Sequence, residues 1–295
     1  MIRMADACTN RYQTSNHSGW RFFMRRVGRC IAVLVSLSVA LAAVVAQDPA
    51  PAIKDANLEA VVRALLNEPK APLKDELLAK VFILEATGKG IKDLTGLDRC
   101  KNLQLLRLDK NQIADVDALK DLKNVQSLDL TDNAIENLTP LANLVRLQYL
   151  QLGKNRIKSV EPLKGLVNLN TLSLADNQIG DLAGLAGLAK LWTLDVRANQ
   201  IRTIAPLAKL TKLATLDLRS NKIADLTPLA GFTDLSLLML DANEIKDLGP
   251  FLKAVAADAQ GAKRFAPYLR VSVAGNPVDA KQLDALKALG VRLIP

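Results

Sequence analysis

The stretch Leu213-Ala-Thr-Leu-Asp-Leu-Arg-Ser-Asn-Lys-Ile-Ala-Asp-Leu-Thr-Pro-Leu-Ala230 carries three periodicities in eighteen residues. Leu213, Leu216 and Leu218 stand eight, five and three positions before Asn221, and Ile223 stands two after it. The same frame fits Leu103, Leu106, Leu108, Asn111 and Ile113. Asn111, Asn133, Asn155, Asn177, Asn199, Asn221 and Asn243 recur every 22 residues without a slip, and Asn276 follows after 33. Such a fixed period marks stacked structural units, each burying its apolar side against its neighbours.

Each part of the unit has a physical role. Leu-x-Leu alternates with period two, so it forms a short strand with leucines inward and the residue between them outward. Successive strands then stack in parallel. The asparagine turns the chain inside the stack, where its amide both donates and accepts and so satisfies backbone groups that burial would leave bare. In the return segment Ile135, Leu138 and Leu141 are spaced by three, which suits a short 3₁₀ or extended convex side, and prolines at 140, 162, 206 and 228 agree.

The frame extends back to Val81, Leu84, Ala86 and Ile91, with Lys89 in the asparagine position. Before it, Leu58, Val61, Val62, Leu65 and Leu66 have helical spacing over Asp55 to Asn67, with Asp55 as N-cap. Phe251 to Gln260 reads as a helix inserted in the last repeat, and Asp279 to Leu289 as a closing amphipathic helix. The expected organisation is a leader over 1–46, a linker over 47–52, a helical cap over 53–80, repeats over 81–250, and the last repeat with its cap over 251–295. Counting frames from Lys89 to Asn276 gives nine strands, which at about 4.8 Å each span roughly 38 Å.

L-x-x-L-x-L-x-x-N-x-I is the leucine-rich repeat pattern, and the 22-residue units resemble the bacterial internalin-like class. The "DANLEAVVRALL" beginning at Asp55 and "AGNPVDAKQLDALKALGV" at Ala274 to Val291 are similar to that class's termini. The resemblance covers about residues 53 to 295. It implies an α/β right-handed solenoid, a horseshoe whose concave parallel sheet binds a partner, usually a protein. The class also has cytosolic relatives that regulate phosphatases. No immunoglobulin-like domain or sorting motif is read after the repeats, so host-cell invasion is not carried over.

Met24-Arg-Arg-Val-Gly-Arg29, the apolar run Ile31 to Ala46 and the small residues Val44-Val45-Ala46 read as a secretory signal cut after Ala46, with Met24 as a candidate start. The run is short of the roughly 20 residues that cross a bilayer. Export is therefore the expectation, and membrane attachment only if the segment is uncleaved. Cys8, Cys30 and the sole histidine, His17, fall within it, leaving Cys100 alone in the body and no internal disulfide. A body without histidine hosts no Ser-His or Cys-His pair and no common zinc site, so neither an enzyme nor a metal or other cofactor is expected. Of 39 bases and 30 acids, six and one lie in the first 46 residues, leaving 33 and 29 interspersed, which argues against nucleic acid.

Function is therefore expected in the outward columns four and two residues before each asparagine, as a monomer. The expected partner-binding residues are Arg107, Asp129, Tyr149, Gln151, Asp195, Arg197, Asp217, Arg219, Met239 and Asp241. Glu85, Arg107 and Asp129 read as an exposed charge ladder. Asp195 and Asp217 read as self-neutralised by Arg197 and Arg219, with recognition of a charged partner or calcium behind. Tyr149 is the expected aromatic anchor, beside the space left by Gly153. Trp192 is expected to pack, and Cys100 to be buried and inert. The alternatives are a cell-wall or carbohydrate binder, a cytosolic or membrane-anchored regulatory subunit, and last a hydrolase.

Overall fold

The computed structural model describes residues 52–262, 264, 265 and 268–295. The leader, and the linker up to Pro51, lie outside the described residues. No helix among those described is long and apolar enough to cross a membrane.

The described chain begins with a cap. Helix α1, Ala56–Leu66, buries Leu58 and Val62 and ends at Asn67 in the left-handed region. Asp55 Oδ1 accepts the backbone N–H groups of Asn57 (2.9 Å) and Leu58 (3.1 Å), two of the donors that every helix start leaves unpaired. Its Oδ2 accepts from Lys92 N (2.9 Å) and Asp93 N (3.3 Å), so one carboxylate caps the helix and ties it to the first turn of the repeats. Burial works against its charge, but the four N–H donors prevail and hold the carboxyl below its ordinary range. A single-turn helix, α2 (Asp75–Leu78), follows.

Strands β1 (Ile83–Glu85), β2 (Leu105–Arg107), β3 (Ser127–Asp129), β4 (Tyr149–Gln151), β5 (Thr171–Ser173), β6 (Thr193–Asp195), β7 (Thr215–Asp217) and β8 (Leu237–Met239) come next. Each pairs in parallel with the following one. Helix α3 (Gly249–Gln260) then interrupts, followed by β9 (Arg270–Ser272), α4 (Ala280–Ala288) and β10 (Arg292–Leu293). The sheet therefore has ten strands, one more than the sequence frame counted, because the chain after α4 lays Arg292 beside Arg270 in a final parallel pair. That strand carries no leucine-asparagine signature, so the repeat frame had no means of finding it.

The central residue of strands β1 to β9, leucine from Leu84 to Leu238 and valine at Val271, is buried, and the return segments Leu97–Arg99, Thr139–Asn143, Glu161–Gly165 and Thr227–Gly231 are 3₁₀ turns. Pro140, Pro162 and Pro228 sit in the first positions of their turns, where a missing N–H costs nothing.

The asparagines link one turn to the next. Asn199 Nδ2 donates to Leu174 O of the preceding repeat (2.9 Å) and to Val196 O of its own (3.0 Å), while its Oδ1 accepts from Ile179 N (2.9 Å). Asn111, Asn133, Asn155, Asn177, Asn221, Asn243 and Asn276 repeat these contacts. The residue before each is left-handed, including Lys110, Asp132, Lys154, Asp176, Ala198, Ser220 and Ala242, with φ between 53° and 59°. A Cβ makes that conformation costly, and its recurrence shows that the amide bonds outweigh the strain.

A second ladder, which the sequence frame did not isolate, runs nine residues before the asparagines, on the flank where the chain leads into each strand. Asn102, Asn124 and Asn168 donate to Ala79 O (2.8 Å), Lys101 O (2.9 Å) and Val145 O (2.8 Å).

Candidate functional site

The strand register puts Glu85, Arg107, Asp129, Gln151, Ser173, Asp195, Asp217, Met239 and Ser272 in one row across the concave sheet. The structure divides the ten expected residues of this face into three groups with different environments.

Towards the first repeats, Tyr149 stands 42% exposed. With Leu105, Arg107, Ser127 and Asp129 it lines a hollow of about 220 Å³. Burial raises the Tyr149 phenol, and the nearby Asp129 charge adds to that. Arg107 bonds Glu85 at 2.8 Å with both side chains about half exposed, a pair of little net strength that a partner can recruit. Asp129 accepts its own strand's Thr131 N at 3.0 Å. Gln151 is half-buried next to this group.

In the middle, Arg197 and Arg219 fold back onto the aspartates two residues earlier on the same face of their strands. Arg219 grips Asp217 through Nε (2.9 Å to Oδ1) and Nη2 (2.6 Å to Oδ2). Arg197 Nη1 reaches Asp195 at 2.6 Å and lies 3.8 Å from Asp217, and Arg197 Nη2 lies 3.9 Å from Asp176. Asp217 is 2% exposed, so the outward carboxylate that the alternation places there is covered by its own neighbours. Asp195 is held above the ordinary carboxylate range, first by burial and then by the Asp217 charge, against the pull of the Arg197 backbone N–H and guanidinium. Among the described residues no cluster of His, Cys, Asp or Glu is arranged to hold a metal ion.

At the far end Met239 is half-buried, and Asp241 turns towards the last repeat, accepting Ala274 N (2.7 Å) and the Ser272 hydroxyl.

Two features depart from the outward-column scheme. The column six before each asparagine, of which only Tyr149 had been singled out, begins Ile83, Leu105, Ser127, Tyr149, and Ile83 is 54% exposed beside Leu65 of α1 at 51%. These two, with Val61, line a shallow hollow of about 310 Å³. Apolar residues in a column that later holds Thr171, Thr193 and Thr215 were the available signal. Trp192, expected to pack, is 57% exposed. It lies just before β6, where its carbonyl accepts Ala214 N (2.9 Å). Cys100 is fully buried, with its thiol pushed up to about 12 by burial and the Asp98 charge.

The family model for leucine-rich repeats in two copies matches residues 88–143, 145–187 and 190–231. Internalin C2 from Listeria monocytogenes is 29% identical over 83% of this chain and 97% of its own, with a TM-score of 0.67. The chain is a leucine-rich repeat solenoid similar to the internalins. A leucine-rich repeat protein from Leptospira interrogans shares the fold at 22% identity, over 74% of this chain and 56% of its own, TM-score 0.66. So does the ectodomain of a plant membrane receptor kinase from Arabidopsis thaliana, whose structure is in complex with Casparian strip integrity factor 2. It is 22% identical over 71% of this chain and 26% of its own, TM-score 0.58. No curated protein matches the sequence. A repeat scaffold of this kind does not by itself name a ligand.

Proposed function

We propose that this chain is an exported, non-catalytic scaffold that takes a protein partner on the N-terminal half of its concave sheet. The observation that carries the proposal is the hollow at Tyr149: a half-exposed aromatic ring beside Leu105, rimmed by Arg107 and Asp129. Half-exposed aromatics next to arginine are the residues on which interfaces concentrate their binding energy. Arg197, Asp195, Asp217 and Arg219 already satisfy one another and stiffen the sheet rather than reach outward. The Arabidopsis ectodomain, of the same fold, is found in complex with Casparian strip integrity factor 2, which supports a binding role. Export rests on the leader sequence. Tyr149 lies on the sheet while Trp192 lies just before β6, so these two exposed aromatics do not share one column.

The test is site-specific photo-crosslinking in the producing cell. A benzoyl-phenylalanine at position 149 should give one discrete protein adduct, and one at the exposed Gln200, on the asparagine side, none. Adducts of equal yield from both positions, or none from position 149, would overturn the concave-face proposal. Fractionation of the same cells should place the adduct outside the cytoplasm.

A further inference from the structure

The charges that alternate along the sequence do not alternate on the surface. On the flank that leads into the strands, the positions ten and nine before the asparagine of the seven regular repeats hold Lys101, Lys123, Arg146, Lys190 and Lys212 against Asp234 alone. All five bases are exposed. Lys212 approaches Asp234 at 3.5 Å, but Arg146 and Lys190 rest on amides, Asn124 Oδ1 at 2.8 Å and Asn168 Oδ1 at 2.7 Å, which leaves their charge unopposed. The concave sheet alongside has the opposite bias, its outward columns holding Glu85, Asp109, Asp129, Asp195, Asp217 and Asp241 against Arg107, Arg197, Arg219 and Arg270.

The same flank carries the exposed apolar side chains of the middle repeats. Val145 and Val167 are each 48% exposed, and Trp192 is 57% exposed. Asn168 donates to Val145 O at 2.8 Å, so the two valines belong to adjacent rungs of one ladder. Because every rung repeats the same register, these side chains stand at regular steps along one flank. The bases stand among and on both sides of them.

A polyanion in solution calls for bases alone. Protruding valines and a tryptophan among bases match an interface that is anionic outside and apolar just beneath. Indole settles at headgroup level, and each lysine or arginine near an anionic leaflet adds attraction. We propose that this flank docks the solenoid edge-on against an anionic lipid surface, leaving the concave sheet free for its partner. The inference does not depend on the concave-face reading, because the two surfaces share no residue.

Trp192 reports on it directly. In the full chain carrying Trp20→Phe it is the only tryptophan. Vesicles of equal parts phosphatidylglycerol and phosphatidylcholine should shift its emission to the blue and shield it from aqueous quencher, whereas phosphatidylcholine alone should not. Attachment through the leader's apolar run would leave Trp192 in water and its emission unchanged. Arg146→Gln with Lys190→Gln should weaken the anionic-vesicle response on the order of tenfold, and Val145→Ser with Val167→Ser should reduce the shift. All four positions are exposed, and circular dichroism would check that each variant folds. An unchanged emission with anionic vesicles overturns the proposal, as does an equal shift with phosphatidylcholine alone. A matching response to dextran sulfate overturns it in favour of a soluble polyanion.

Discussion

Removing one amide from the middle of the solenoid should cost far more than its size suggests. Asn199→Ala deletes the donor to Leu174 O and Val196 O and the acceptor for Ile179 N, at a site where Asn199 itself is 8% exposed. Three buried backbone groups lose their partners. At about 1–3 kcal/mol for each unsatisfied group, less what an invading water restores, the loss is about 3–5 kcal/mol. The comparison is Asn137→Ala, which loses one exposed bond to Thr139 N (2.9 Å) and should cost about 0.5–1 kcal/mol. Urea unfolding followed by circular dichroism measures both. Hydrogen exchange should show protection lost first at Ile179. Asn199→Asp adds a pH signature: the ionised carboxylate faces two carbonyl oxygens, which raises its folded pKa. Part of the lost stability should therefore return as pH falls below that value, when one oxygen can donate again. If Asn199→Ala cost no more than Asn137→Ala, the amide ladder would not hold the repeats together as argued.

Ala198→Gly should stabilise the chain by about 0.5–1 kcal/mol, since φ 53° strains an alanine more than glycine's extra unfolded-state freedom costs; a thermal melt showing a lower midpoint would contradict this. Gly184→Ala should destabilise by about 2–3 kcal/mol, because its Cβ would stand 2.3 Å from Val160 O on the neighbouring turn, while Gly180→Ala, with open space around it, serves as the control in the same melts. Asp217→Asn should lower the raised Asp195 pKa by removing a neighbouring negative charge, read by NMR titration of the Asp195 carboxyl. Because a raised folded pKa adds stability as pH falls through it and loses that stability as pH rises, the variant should have a shallower rise in stability on acidification in that range.

The architecture was legible because one residue type at one spacing fixes it. Leu106, Leu108 and Asn111 define strand, inward side and turn in a single frame, and translation by 22 residues does the rest. The tenth strand escaped because Arg292–Leu293 earns its place by pairing with β9, not by any motif. On the concave face the alternation located the right row but not the fate of each member. Whether Asp217 is outward or covered depends on Arg219 reaching back two residues, a rotamer and not a pattern. Trp192 was misjudged because aromatics usually pack, and its 57% exposure shows only in the folded chain. The basic flank was invisible to a running charge count, since its members come from positions 22 residues apart.

The thinness of the convex turns also sets what the inner face can grip. Helices packed side by side need 8–10 Å, about twice the spacing of strands, so a helix-backed stack must arc tightly. Single 3₁₀ turns such as Thr139–Asn143 need much less room, and the arc opens. Only near the end does a full helix, α3, wedge the outer rim. A partner on the proposed concave face is therefore expected to meet a shallow surface suited to one flank of a rounded domain. Curvature would then change not by altering the inner strands but by swapping what backs them.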